Sequence, residues 1–250
     1  MKENPSGALF YGTLAPWWPL ISPPAEYEEE AAEAAKLLES GNGVVRTVLE
    51  LGSGGGNNAF HLKTRFAMTL VDLSESMLQV SQALNPDCEH CPGDMRTIRL
   101  GRTFDAVFVH DAVDYMLSET DLRQAMDTAY AHCRPGGVAV LVPDATTETF
   151  VPGNDCGGSD SADGRGARYL AWTWDPNAAD TETVTEYAFI LREPDGSVQL
   201  AHETHRTGLF SREVWLRCLE EAGFVPELVT EKTTEDRTPR DQFIGRRPVL

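Results

Sequence analysis

Apolar residues in this chain fall into short continuous runs separated by stretches of helical period. Residues 44–51, 66–71 and 104–109 are runs of strand length, and the continuous run at 104–109 predicts a strand buried on both faces. Between them the pattern predicts a helix near 58–65. A second helix starts at Ser74, with Met77, Ser81 and Leu84 on one face, and a short strand follows around 88–91. Ser118 and Asp121 form a capping-box-like start. Leu122, Ala125, Met126 and Ala129 then recur at helical spacing until Arg134-Pro135-Gly136-Gly137 stops the helix before a strand at 138–142. Upstream, 25–39 predicts an Ala- and Glu-rich helix closed by Gly41 and Gly43. Residues 1–24 have no periodicity but hold Tyr11, Trp17 and Trp18 with Pro16, Pro19, Pro23 and Pro24, the composition of a cover packed on something else.

Strands alternating with helices imply a parallel sheet with helices on both faces, joined by right-handed crossovers, with ligands bound beyond the carboxyl ends of the strands. The pattern changes after Pro143. Residues 151–166, rich in Gly, Asp and Ser, predict a flexible loop. Residues 168–174, 183–192 and 197–209 predict antiparallel strands, with a turn at Pro194-Asp195-Gly196. A helix over 211–222, capped by Ser211 and closed by Gly223, and two strands near 226–230 and 241–246 complete the chain. The expected organisation is a cover and helix (1–40), an α/β core (41–150), an antiparallel insert (151–208) and a closing helix with two strands (209–250).

Composition narrows the partners. The chain has 250 residues, enough for one domain with a sizeable core, and a formal net charge of −18. A field of that sign repels phosphate backbones and anionic membranes, and Arg96, Arg99 and Arg102 form only a small basic cluster. No nucleic acid or membrane partner is expected. The N-terminus lacks a basic-then-apolar signal pattern, and no apolar run reaches spanning length. Five scattered cysteines suggest reduced thiols in a cytoplasmic protein. The C-x-x-C spacing at Cys88 and Cys91 has no second pair and reads as incidental. Oligomeric state is not legible.

The densest chemical signal is Glu50-Leu51-Gly52-Ser53-Gly54-Gly55-Gly56-Asn57-Asn58, between the first apolar run and a helix, with Asp72 at the end of the next run. Glycines let the backbone turn sharply and approach a ligand, the helix offers N-terminal amides, and the acid can accept ribose hydroxyls. A dinucleotide site wants G-x-G-x-x-G. Gly52 and Gly54 fit, but the sixth place is Asn57, which leaves an NAD-dependent oxidoreductase as an alternative. The pattern acid-x-G-x-G-x-G is filled throughout by Glu50, Gly52, Gly54 and Gly56. That run resembles the first motif of class I S-adenosylmethionine (SAM) methyltransferases. Asp72-Leu73-Ser74 resembles the ribose-binding segment of that family and Gly93-Asp94-Met95-Arg96 its adenine-binding segment. Phe104-Asp105-Ala106-Val107 and Arg134-Pro135-Gly136-Gly137 agree in order and spacing.

This resemblance implies a Rossmann-like seven-stranded sheet with an antiparallel β insert after the fifth strand, SAM as cofactor, and methyl transfer to nitrogen or oxygen of a small-molecule acceptor. The insert, with His202-Glu203-Thr204-His205, resembles TDP-amino-sugar N-methyltransferases, in which it forms part of the acceptor pocket. By the resemblance, Asp72 and Leu73 serve the ribose, Asp94 and Met95 the adenine, Gly52, Ser53 and Gly54 the methionine moiety, Glu50 the loop or the cofactor's amino group, and Tyr11 the methionine carboxylate. His110 and Asp111, after the fourth strand, are expected near the sulfonium, and Asp114 and Tyr115 near the acceptor. His205 is a candidate base. The histidine pair does not match the helical H-E-x-x-H zinc motif, because positions three apart on a strand face opposite ways, so no metal is expected. Trp172 and Trp174 share a strand face that is expected either to floor the pocket or to pack on the sheet. A non-catalytic SAM-binding or interaction protein is the remaining alternative.

Overall fold

The computed structural model describes residues 9–234 and 237–249, so residues 1–8 of the expected cover lie outside it. Strands β1 (Thr47–Leu51), β2 (Ala67–Asp72), β3 (Glu89–Pro92), β4 (Phe104–Val109) and β5 (Cys133–Leu141) form the parallel part of a seven-stranded sheet. Two further strands, β10 (Val225–Thr230) and β11 (Asp241–Arg246), close it, with β11 antiparallel to both β5 and β10. The order is β10-β11-β5-β4-β1-β2-β3. The sheet is the one the resemblance implied, a Rossmann-like α/β layer with an antiparallel insert after the fifth strand.

Strand parity builds two cores from one sheet. Leu49, Leu51, Val107, Val109, Ala139 and Leu141 face helices α5 (Glu119–His132) and α6 (Arg212–Glu221), meeting Leu122, Met126, Trp215 and Leu219. Their neighbours Val48, Ala106, Phe108, Val138 and Val140 face α2 (Glu28–Leu38) and α3 (Asn57–Leu62). Helix α4 (Glu75–Leu84) buries Met77, Leu78 and Ser81. Three helices begin on the side-chain caps their sequences suggest: Ser74, Ser118 and Ser211 accept from the amides of Met77, Asp121 and Val214, each cap contributing about 1 kcal/mol. The first strand starts at Thr47 and not at 44, because Val44 has no sheet partner and is 70% exposed.

The insert is a separate antiparallel sheet, ordered β6-β7-β8-β9, of Gly153–Gly157, Gly166–Trp174, Glu182–Arg192 and Val198–Gly208. Its first strand corrects the expected loop over 151–166. Gly-Asn-Asp-Cys-Gly has little strand propensity, but it is recruited by pairing from Gly153↔Thr173 to Gly157↔Tyr169, a tertiary override of local preference. The cover is less irregular than its sequence suggests: it holds a short helix, α1 (Trp18–Ile21), between 3-10 turns at Ala15–Trp17 and Pro24–Tyr27. Phe10, Leu14, Trp17, Leu20 and Ile21 pack on Ala167, Phe189 and Leu191 of the insert. Burying each such side chain contributes about 1.5–3 kcal/mol, which holds down a segment with few hydrogen bonds of its own.

Candidate active site

The turn after β1 is shaped by its glycines. Gly52, Gly54 and Gly56 have φ of +75°, +51° and +78°, a region open to glycine and costly for other residues. The Gly52 and Ser53 amides donate to Val71 O at 2.7 and 3.0 Å. Asp72, at the end of β2, accepts from Gly54 N through one carboxylate oxygen and from Ser74 N through the other, both at 2.8 Å. A Cβ on Gly52 would lie 2.4 Å from the Ala112 Cβ, and one on Gly55 would lie 2.4 Å from the Trp18 ring. The turn is thus closed on one side by the loop after β4 and on the other by the cover.

A cavity of about 720 Å³ runs from this turn to the inner face of the insert, within the range of ligand pockets. Every candidate from the sequence lines it: Tyr11, Glu50, Gly52, Ser53, Gly54, Asp72, Leu73, Asp94, Met95, His110, Asp111, Asp114, Tyr115 and His205. Several of the lining residues carry buried polar atoms without a partner, among them Glu50 Oε2, Ser53 Oγ, Asn58 Oδ1, Trp18 Nε1 and Asp114 Oδ1. Burial, reinforced by the charges of Asp111 and Asp72 and opposed by His110, pushes Glu50 up to about 8. Burial and the neighbouring Asp144 charge raise Asp114 well above the carboxylate range. Such groups are at rest only when a ligand meets them, with donors or positive charge for the carboxyl oxygens and an acceptor for the Trp18 N–H. SAM, with a sulfonium and an ammonium, fits this lining. Asp94 is less free than its sequence position suggests, because both its oxygens accept from Arg96, at 2.6 to 3.1 Å.

His110, at the end of β4, is buried between two carboxylates: Nε2 lies 3.2 Å from Glu30 and Nδ1 3.4 Å from Asp111. Burial disfavours its charged form, but Asp111 and Glu30 outweigh it and raise His110 to about 10. Arg240 Nη1, which can only donate, also lies 3.3 Å from Nε2 and opposes the charged form. Burial also acts against Glu30, yet the bond from His110 and the charges of Arg240 and Arg237 hold it at about 2. Arg240 reaches Glu30 as well as Asp144, the latter at 2.9 Å.

The far end of the cavity is rich in hydroxyls. The Tyr11 and Tyr115 hydroxyls are 2.7 Å apart, and Tyr115 Oη is 2.7 Å from His205 Nδ1. Thr173 and Thr185 pair through their hydroxyls at 2.8 Å, and Thr183 and Thr207 at 2.7 Å. His202 and His205 lie on opposite faces: His205 is buried, whereas His202 is exposed and bonded to Glu186 at 2.6 Å. The two tryptophans do share a face, with centroids 4.9 Å apart, but it is the outer one. Trp172 is 59% exposed, and it is Tyr169, Ala171 and Thr173 that line the cavity. Neither expected role for Trp172 holds, because the alternation that pairs it with Trp174 turns both away from the core.

Sequence reasoning missed Trp18, Glu30, Arg237, Arg240 and the threonine wall. Glu30 sits on a helix whose buried face is otherwise alanine and leucine, and the arginines come from the segment joining β10 to β11, far along the chain. The threonines carried a signal, alternation on strands whose partner face was known, that went unused.

The sequence matches a family described as "Methyltransferase domain" over residues 48–137. It is 30% identical over 206 residues, 82% of this chain and 80% of the relative, to dTDP-3-amino-3,6-dideoxy-alpha-D-glucopyranose N,N-dimethyltransferase of Streptomyces fradiae. The solved structure of Streptomyces venezuelae DesVI is similar with a TM-score of 0.78 at 26% identity, covering 90% of this chain and 92% of that one. SAM-bound CalS10, an amino pentose methyltransferase from Micromonospora echinaspora, is similar with a TM-score of 0.73 at 25% identity, covering 88% and 91%.

Proposed function

The chain belongs to the class I SAM-dependent methyltransferases, acting with SAM on a small-molecule acceptor, and from that premise we propose that the acceptor is the amino group of a sugar. The observation that carries the reading is the continuity of one cavity from the glycine turn to a wall of paired threonines and tyrosines. Such a wall offers hydroxyls to a polyhydroxylated ring and methyl groups to its C–H faces. Asp111 and Asp144 bring carboxylates to the same space, and Asp114, its ionisation opposed by burial, would gain from a positive charge there, as an ammonium acceptor supplies. The acceptors named for the relatives, amino sugars, are of that chemistry. The oxidoreductase alternative has no support: the place a dinucleotide site keeps for glycine is Asn57, whose buried side chain donates to Ser22 O at 2.9 Å.

In this reading Asp72 and Leu73 hold the ribose, and Gly52, Ser53 and Gly54 line the methionine chain. Glu50 meets its ammonium. Met95 and Asp94 take the adenine, Asp94 sharing oxygens it already gives to Arg96. Tyr11 connects both ends, its carbonyl accepting from Ser74 Oγ and its hydroxyl meeting Tyr115. Bound there, SAM supplies a methyl group activated by positively charged sulfur. The protein's task is to hold the amine in line and exclude water, alignment that can contribute roughly 7–11 kcal/mol. His110, set between Asp111 and Glu30, orders both carboxylates. We divide the chain functionally as cover (1–40), SAM core (41–150), acceptor-side insert (151–208) and closing segment (209–250). The net charge of −18 and five free cysteines support a cytoplasmic reaction without nucleic acid or membrane partners.

Calorimetry with SAM, S-adenosylhomocysteine and NADH tests the cofactor half. Adenosyl ligands should bind, Asp72→Ala should weaken them at least about tenfold, and NADH should not compete. Nucleotide-linked amino sugars and their hydroxyl counterparts test the acceptor half. Methylation of the hydroxyl series alone would overturn the amine assignment.

A further inference from the structure

One carboxylate touches both the cover and the acceptor end of the cavity. Glu203 Oε2 accepts from the Phe10 amide at 2.8 Å. Glu203 Oε1 lies 3.2 Å from His205 Nε2, off the ideal hydrogen-bond line. Both side chains are nearly enclosed, 9% and 5% exposed. On its other side the imidazole meets Tyr115 Oη, and Tyr115 meets Tyr11. The rings of Phe10, Tyr11, Tyr115 and Tyr187 surround His205 at centroid distances of 4.8 to 6.4 Å, so Glu203 is the ionised group facing it and tyrosines from three elements are the other titratable ones. Four polar groups thus stand in a row, from an enclosed carboxylate to a hydroxyl in the cavity.

A neutral imidazole carries one proton, and the partner of each nitrogen decides where it sits. A carboxylate beside Nε2 favours the proton there. Nδ1 is then a lone pair that accepts from the Tyr115 hydroxyl. Burial opposes ionisation of Glu203, but the nearby His205 ring and the hydrogen bond from the Phe10 amide hold it below the usual carboxylate range, so it stays anionic at neutral pH.

We propose that Glu203 is a positioning residue that fixes His205 as the proton acceptor for the substrate amine and, through Phe10, makes that arrangement depend on a seated cover. This rests on the amine reading above. The acceptor ammonium gives a proton to Tyr115 Oη as Tyr115 gives its own to His205 Nδ1. The nitrogen lone pair is freed, and the positive charge moves to an imidazolium whose Nε2–H faces the Glu203 carboxylate. The amine then forms the C–N bond as the C–S bond breaks, the electron pair of that bond remaining on sulfur.

The test uses ¹⁵N shifts of the His205 ring in the ligand-free full chain, wild type and Glu203→Gln, beside steady-state kinetics. The glutamine keeps an oxygen for the Phe10 amide and turns N–H donors toward Nε2. Wild type should show the Nε2–H tautomer and Glu203→Gln the Nδ1–H tautomer. In the variant kcat should fall about a hundredfold, the usual scale of a general base, with the acceptor KM changed less than about twofold. The acidic limb of the pH profile should move up toward the pKa of the free amine. The same tautomer in both proteins, or an undiminished kcat, overturns the proposal. If Glu203→Gln no longer binds S-adenosylhomocysteine, Tyr115→Phe replaces it: the Nε2–H tautomer should persist while kcat falls, and full kcat overturns the relay. The ring measurement needs no acceptor. A tautomer switch in a protein that methylates only hydroxyls would leave the hold of Glu203 on His205 standing and defeat the amine reading instead.

Discussion

The two ends of the cavity are built by different means. At the cofactor end, backbone does most of the work: amides of Gly52, Ser53, Gly54 and Ser74 close on Val71 O and Asp72 across adjacent strand ends. At the acceptor end, side chains from the cover, the loop after β4 and the insert meet one another, as in Tyr11–Tyr115–His205 and the threonine pairs. A backbone-built end tolerates almost no change at its turns but requires few particular side chains. A side-chain-built end is open to substitution, and with it to change of acceptor. The same glycine turn can therefore serve many acceptors if only the insert and cover vary.

The sharpest way to break this contrast is Gly52→Ala. The new Cβ would meet the Ala112 Cβ at 2.4 Å at a φ of +75°, and no rotamer relieves a backbone-fixed clash. S-adenosylhomocysteine binding should weaken about a hundredfold or more, near 3 kcal/mol, and the melting temperature should fall as well, since the clash and the positive φ strain the fold itself. Undiminished binding in calorimetry would show that the turn has slack and that the cofactor end is not backbone-limited.

What the sequence could reveal follows the same division. The glycine turn, Asp72 and the succession of strands and helices were legible because they rest on local runs: a strand, a tight turn, a helix start, an acid at a fixed distance. Fourteen residues from the cover, the ends of β1, β2, β3 and β4, and β9 were expected around one site, and all line one cavity, twelve of them because strand carboxyl ends converge in a parallel sheet. Arg240 and Glu30 were illegible because their meeting depends on 210 residues of intervening chain. β6 was illegible because its five residues take their conformation from β7, not from their own preference. Trp172 was misread for a narrower reason: periodicity shows which residues share a face, not which face is inside.

Glu50 sharpens the contrast by pH. Its folded-state value, raised from 4.5 to about 8, means that the folded chain holds a proton that the unfolded chain has released between those values. Stability from this group is thus complete below about 4.5 and declines as pH rises to 8. A bound ammonium lowers the value again, so binding of S-adenosylhomocysteine near pH 7 should expel close to one proton and tighten with rising pH until about 8. Glu50→Gln should abolish the proton release, seen as loss of the dependence of calorimetric heat on buffer ionisation enthalpy, and should flatten the decline of melting temperature. Proton release that survives in the variant would assign the ionisation to Asp114 instead.

The smallest expected effect comes from the most conspicuous residue of the insert. Trp172 is large, aromatic and two positions from another tryptophan, features that on sequence alone point to a pocket floor. Its neighbour Thr173 is the one that faces the cavity, its hydroxyl 2.8 Å from that of Thr185. Trp172→Ser should leave kcat, acceptor KM and S-adenosylhomocysteine affinity within about twofold, since an exposed ring away from special features changes little. Thr173→Val, one residue on and nearly isosteric, removes a hydroxyl from the wall and breaks a pair. Loss of about 1 kcal/mol from one neutral hydrogen bond corresponds to a roughly fivefold rise in acceptor KM, with cofactor affinity unchanged. The two adjacent variants read the strand's orientation directly: if Trp172→Ser raises acceptor KM and Thr173→Val does not, β7 presents its other face to the acceptor, and the threonine wall loses its part in recognising a sugar.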